Sequence, residues 1–404
     1  MRLCKKALLC LVCAVSTAVG CSQKKEAVPE DPILLTIAVP ESEWEDYTKG
    51  LTALYQKRNP QIQQIQWELV DRSVYEEYLR VHLASQDLPD IIGLKDPSSI
   101  LQWKDQLEIL DTDAQQGIPD QYTADGRLGG YVYAVPVILE AQGILYNSQL
   151  LKQAGWDRIP KTNQEFALLC RDLEEADIKP VINHYKEAFL GMEDPLFTHP
   201  SVLKGGESRW NAFADFLDLT RLYGNQNGLT TASDTAQDYF FIKRYAVLNN
   251  EGSWLAPVIK KNAPDLEEQI WFGPVLLDEQ EDLNCIQVNR LFLAVSNRST
   301  HSEEAKKFLK WLTCSKEAET YLKQMGCLPV SDLGAESAAG LSPMAREVKA
   351  AVRSGRIVWA ESDHLPAELK KQIIQLWGRY LSGELDRERV LAGLRSLWKE
   401  YMYN

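Results

Sequence analysis

Beyond Cys21 the 404-residue sequence has no CxxC pair, and its five histidines (His82, His184, His199, His301 and His364) show no ligand spacing. Zinc and related metal chemistry is therefore left without a ligand set. There is no GxxxxGK[ST] motif, so no P-loop cradles a nucleotide, and no GxGxxG follows a strand. Neither GxSxG nor HExxH occurs, which removes the serine-hydrolase elbow and the zincin helix. Basic residues are in deficit: 44 Lys and Arg stand against 57 Asp and Glu, for a net charge of −13. An acidic chain argues against phosphate-backbone binding and against a polybasic membrane patch. Phenylalanine is scarce at ten, beside eleven Trp and sixteen Tyr. The aromatics thus favour rings with a polar handle, which suit the walls of a polar ligand's site. A glycosidase carboxylate pair stays open, since so many acids make any particular pair uninformative.

Long apolar runs are also missing, apart from one at the start. Arg2, Lys5 and Lys6 precede the apolar stretch Ala7–Ala18, which has the length of a signal-peptide core and is too short to span a bilayer. It ends in Ala18-Val19-Gly20-Cys21, which resembles a bacterial lipobox with Ala18 where Leu is commoner. That reading expects a diacylglycerol on the Cys21 thiol, whose two acyl chains would anchor the chain. The alternative is an ordinary signal with a chance cysteine. Residues 21–32 are polar and read as a tether. Of the other cysteines, Cys170, Cys285, Cys314 and Cys327 read as isolated thiols, with Cys314 and Cys327 held apart by a helix.

The body alternates strand and helix, which defines an α/β fold of mostly parallel sheet flanked by helices. Ile33–Val39 is a strand ended by Pro40, and Glu43–Arg58 carries Trp44, Tyr47, Leu51, Leu54 and Tyr55 on one helical face. A strand at Ile65–Val70, a helix at Val74–Ser85 and a strand at Pro89–Leu94 complete a βαβαβ run. Ligands on open α/β sheets bind beyond the carboxyl ends of strands, here Pro40–Trp44, Asp71-Arg72 and Lys95-Asp96. Further strands are expected at Gly130–Val137, Gly143–Tyr146, Tyr245–Leu248 and Leu291–Ser296. Thr162-Asn163-Gln164-Glu165 is a capping box that opens a helix. Two helices broken at Ser382-Gly383 end the chain, and Trp311, Trp377 and Trp398 read as core.

Six short motifs, in order, resemble the extracellular solute-binding proteins of bacterial sugar ABC importers, the maltodextrin-binding group. They are Pro89-Asp90-Ile91-Ile92; Tyr133-Ala134-Val135-Pro136; Leu145-Tyr146-Asn147 with Leu150-Leu151 and Ala154-Gly155; Pro160-Lys161-Thr162 with Glu165-Phe166; Glu251-Gly252-Ser253-Trp254; and Leu293-Ala294-Val295-Ser296 with Ala305–Leu312. The resemblance implies a two-lobed periplasmic-binding-protein-like fold with the ligand in the interlobe cleft. A first lobe is expected at 33–137 and 272–325, and a second at 138–271 and 326–404. The implied function is capture of a mono- or oligosaccharide and its delivery to permease subunits, by a lipid-anchored monomer at the extracytoplasmic face. No enzyme activity, cofactor, metal or nucleic acid is implied. A diverged sensing lipoprotein of the same fold is the alternative, with a secreted glycosidase behind it.

The resemblance also points to ligand contacts. Trp254 is the stacking residue of the GSW loop, Asp96 follows the PDI strand, and Glu140 follows the crossover. Glu41 and Trp44 lie at the first strand tip, although Trp44 also fits the apolar helix face. Arg290, beside Asn289, stands where many relatives carry glycines, either as a pocket contact or as a surface residue. Trp359, between Arg356 and Glu361, is a late aromatic that some relatives present to ligand.

Overall fold

In the computed structural model the structure describes residues 33–40, 44–71, 74–94, 97–185, 207–277, 284–359 and 367–403. The Cys21 anchor and the two candidate residues Glu41 and Asp96 lie outside them. Ile33–Asn404 forms one compact unit.

The opening βαβαβ run forms as the periodicity requires. Strands β1 (Ile33–Pro40), β2 (Ile62–Val70) and β3 (Ile91–Leu94) are joined through helices Glu45–Arg58 and Tyr75–Ser85. β1 pairs in parallel with both neighbours. Its side chains alternate between two cores, which explains a nearly continuous apolar run. Leu35, Ile37 and Val39 pack with Tyr47, Leu51 and Phe308, whereas Ala38 packs on the other face with Tyr75, Ile92 and Phe292.

A small ribbon, β4 (Arg127–Leu128) with β5 (Tyr131–Val132), leads into β6 (Val135–Asn147). The sequence reads as two strands here, but the structure has one of 13 residues. Gly143 marks the place where the pattern seemed to break. A Cβ there would lie 2.2 Å from the Gly273 carbonyl oxygen, so the glycine is set by close strand approach and does not interrupt the strand.

The remaining strands are β7 (Lys179–Ile182), β8 (Tyr245–Gly252), β9 (Ile270–Gly273), β10 (Ile286–Val295), β11 (Leu328–Pro329) and β12 (Ile357–Trp359). All but the ribbon join one sheet, ordered β2-β1-β3-β10-β6-β8-β7, with β9 and β11 added to β6 and β12 to β10. Pairing is parallel toward both ends and antiparallel around β6 and β10. Those two strands run from one arm of the sheet into the other. β10 pairs with β12 at Ile286–Val288 and with β3 at Phe292–Val295. Phe272 of β9 pairs with Leu145 of β6.

The second arm has its own two cores. Ile144 and Tyr146 pack with Phe166, Phe213 and Trp377 of the flanking helices, and Leu145 packs on the opposite face with Phe240, Leu248 and Phe272. Helices Ala367–Leu381 and Arg387–Tyr403 close the first of these through Ile373, Trp377, Val390 and Leu394. The four described cysteines are free thiols.

Candidate ligand-binding site

The crossing strands bring four of the expected residues to neighbouring positions around one row of the sheet. Val288 on β10 lies opposite Ala141 on one side and Trp359 on the other. The Ala141 amide donates to Ser253 Oγ at 2.9 Å, which ties the end of β8 to the same row. Glu140 and Arg290 are therefore next along β6 and near along β10, paired respectively with Asn289 and Leu139, while Trp254 follows Ser253.

Arg290 is buried and not a surface residue, at 6% exposure. Its buried charge is matched by Asp125, and its Nη1 donates to the Tyr122 carbonyl at 3.4 Å. The guanidinium also lies 3.9 Å from the Trp359 ring centre, covering one indole face. Tyr122 meets the same indole edge-on, with centroids 6.4 Å apart. Glu140 is part-buried, and its charge acts on the buried Cys327 thiol. Burial pushes that thiol up to about 12, and Glu140 adds to the rise.

Trp254 is part-buried and folds back along its own strand. Its Nε1–H donates to Glu251 Oε2 at 2.9 Å, and its six-membered ring lies over Gly252. Glu251 is 2% exposed, so its carboxylate needs several donors. Its Oε1 accepts from Ser233 Oγ at 2.5 Å and from Gln237 Nε2 at 2.9 Å, with His184 Nε2 at 3.5 Å. Ser233 and Gln237 are four apart on helix Ser233–Phe241, hence on one face.

A second polar group closes the carboxyl ends of β7 and β8, a parallel pair. Asn249 Nδ2 donates to Tyr185 Oη at 2.7 Å and to Asn183 Oδ1 at 3.1 Å. Tyr185 Oη is 3.0 Å from Thr220 Oγ1, and Asn183 Nδ2 donates to the Thr220 carbonyl at 2.8 Å. Burial drives the Tyr185 phenol well above its ordinary value, so it stays a neutral hydroxyl. These are the strand ends where the α/β rule places ligands. Asn183, His184 and Tyr185 were not singled out from the sequence, although their position just after an apolar strand was the available signal.

The seven expected contacts thus divide three ways. Glu140, Trp254, Arg290 and Trp359 gather around the crossover. Glu41 and Asp96 lie outside the described residues. Trp44 is placed elsewhere. At 2% exposure it stacks on Trp67 with centroids 5.8 Å apart and meets Tyr47 edge-on, so it packs in the first-arm core, as its helical spacing also allowed. Among the described residues, no group of three or more His, Cys, Asp or Glu is assembled as a metal site. What the crossover offers is carboxylate acceptors, amide and hydroxyl groups and indole faces, a set suited to holding a polar ligand with apolar faces.

Comparison with known proteins agrees with this architecture. A model of the bacterial extracellular solute-binding protein family matches residues 41–319. The multiple sugar-binding protein of Streptococcus mutans is 23% identical over 382 residues, covering 88% of this chain and 89% of that protein. The melibiose/raffinose/stachyose-binding protein MelE of Bacillus subtilis is 22% identical over 316 residues, covering 72% and 73% respectively. Among solved structures, the binding protein RafE in complex with raffinose superposes with a TM-score of 0.72 at 18% identity, covering 90% of this chain and 98% of that one. With the family match extending over more than half its length, this chain belongs to the bacterial extracellular solute-binding proteins and has their two-lobed α/β fold.

Proposed function

We propose that the protein captures a carbohydrate between its two lobes at the β6–β10 crossover and delivers it to an ABC permease. The observation that carries this reading is Trp254, a part-exposed indole held by Glu251 and Gly252 and following Ser253, whose Oγ accepts from the Ala141 amide of β6. A sugar presents C–H faces and hydroxyls at fixed angles, so it needs a flat apolar wall next to acceptors. The relatives named for sugars support the same ligand class. Their designation as binding proteins supports capture without bond cleavage. Asp96 and Glu41 complete the contact set from the first lobe, and the lobes close on a hinge through the two crossing strands.

The site works from the extracytoplasmic side, with the chain held by lipid on Cys21. Labelling with a palmitate analogue tags the wild type and spares Cys21→Ser; equal labelling removes the anchor. Ligand class is tested by thermal shift across mono- and oligosaccharides. A ligand at a hundred times its dissociation constant stabilises by about 2.7 kcal/mol. A flat response across the panel would end the carbohydrate reading.

A further inference from the structure

We infer that Glu251 is the positioning residue of Trp254: it fixes the indole before ligand arrives and leaves the recognition itself to that ring. The inference rests on the reading of Trp254 as a ligand-facing aromatic. Glu251 is nearly inaccessible at 2%, so it is placed to act through its neighbours. Its carboxylate divides its work between two oxygens. Oε1 is held by Ser233 and Gln237 of helix Ser233–Phe241, with His184 Nε2 3.5 Å away. Oε2 receives the indole N–H. An ionised carboxylate only accepts, and Ser233, Gln237 and Trp254 each present an O–H or N–H to it. The carboxylate is therefore oriented by one set of groups and transmits that orientation to the ring.

Gly252 supplies the second constraint. Its absent side chain admits the six-membered ring, since a Cβ would lie 2.2 Å from Trp254 Cζ3. One edge of the indole is thus held by a charge-assisted hydrogen bond and one face by backbone. A ring ordered in this way loses little freedom when a ligand stacks on it. Donation to a carboxylate also pushes electron density into the ring, which strengthens its attraction for polarised C–H groups.

The test uses the full chain labelled with 5-fluorotryptophan, with Trp254→Phe assigning the Trp254 resonance. In Glu251→Ala that resonance shifts or broadens while the other tryptophan resonances report an intact fold. In Glu251→Gln, whose amide oxygen still accepts the indole N–H, it stays near its wild-type position. Affinity for the best saccharide of the thermal-shift panel falls more than 10-fold in Glu251→Ala and less than threefold in Glu251→Gln. In a Trp254→Ala background, Glu251→Ala changes affinity less than twofold, because the two residues act as one unit. An equal loss in both backgrounds, or a Trp254 resonance unmoved by Glu251→Ala, overturns the proposal. If the wild type binds no saccharide, the carbohydrate reading fails, and the resonance alone still decides whether Glu251 positions the ring.

Discussion

Replacing Gly252 by Ala should disable Trp254 without touching it. The backbone at Gly252 has φ −150° and ψ −179°, an extended conformation that alanine adopts freely. The perturbation is therefore steric alone. The added Cβ would stand 2.2 Å from Trp254 Cζ3 and 2.4 Å from both Cε3 and Cη2. Carbon pairs rest near 3.5–4.0 Å, so the indole must swing away. It then leaves Glu251 Oε2, its acceptor at 2.9 Å. A hydrogen bond to a charged group contributes ~1.5–3 kcal/mol, which bounds the loss of stability. Displacing a stacked anchor costs about 2 kcal/mol or more of binding. That corresponds to affinity weakened at least ~30-fold by calorimetry. Gly252→Ala should match Trp254→Ala, and combining them should be no worse than either. Wild-type affinity in a folded Gly252→Ala protein would show that the indole takes no part in binding.

Two further predictions concern stability. Glu165 receives Arg158 through both oxygens at 2.6 and 2.7 Å and accepts the Lys161 amide at 2.9 Å. The Arg158 hydrogen bonds pull its carboxyl from 4.5 to about 2, so its contribution is complete above about pH 4.5 and fades as pH falls toward 2. For this partly exposed pair Glu165→Gln should cost about 1 kcal/mol at pH 7 and progressively less below pH 4.5; a pH-independent gap in urea melts would refute the assignment. Lys349 is 3% exposed and donates to Asp332 Oδ2 at 2.7 Å and to the Asp332 and Ser337 carbonyls at 2.8 Å. Lys349→Met should destabilise by about 3 kcal/mol, the low end for a broken buried pair because Lys323 still contacts Asp332; a loss under ~0.5 kcal/mol, typical of a surface site, would refute it.

The first arm was legible because each of its elements is decided locally. β1, β2 and β3 are apolar runs between helices of clear periodicity, and the N-cap half of the capping box forms, with the Glu165 amide donating to Thr162 Oγ1 at 3.2 Å while its carboxylate takes the Lys161 amide. The second arm was less so. The sequence ends this strand at Leu248, yet Asn249-Asn250-Glu251 continues β8 with all three residues at 2% exposure or less. Polar residues enter a strand interior only when distant groups satisfy them. Those groups lie elsewhere in the chain: Asn183 is 66 residues from Asn249, and Ser233 is 18 from Glu251. No local pattern encodes such pairings. Arg290 was seen as a departure, but its neighbours Asp125 and Trp359 come from segments that only the fold brings together.

The crossing strand β10 also constrains how the chain can acquire its shape. β3 has β1 on one side and β10 on the other, and their partners are Ile91–Leu94 and Phe292–Val295. While the first 285 residues are being synthesised, the apolar strand Ile91–Leu94 has an open edge that nothing nearby in sequence can cover. Such an edge is a template for pairing with another chain. Completing it means closing a loop of roughly 200 residues, which slows folding and lengthens the exposed interval. A nascent chain of this protein is thus vulnerable to aggregation for about half of its synthesis, and a fragment that stops short of β10 retains that edge permanently.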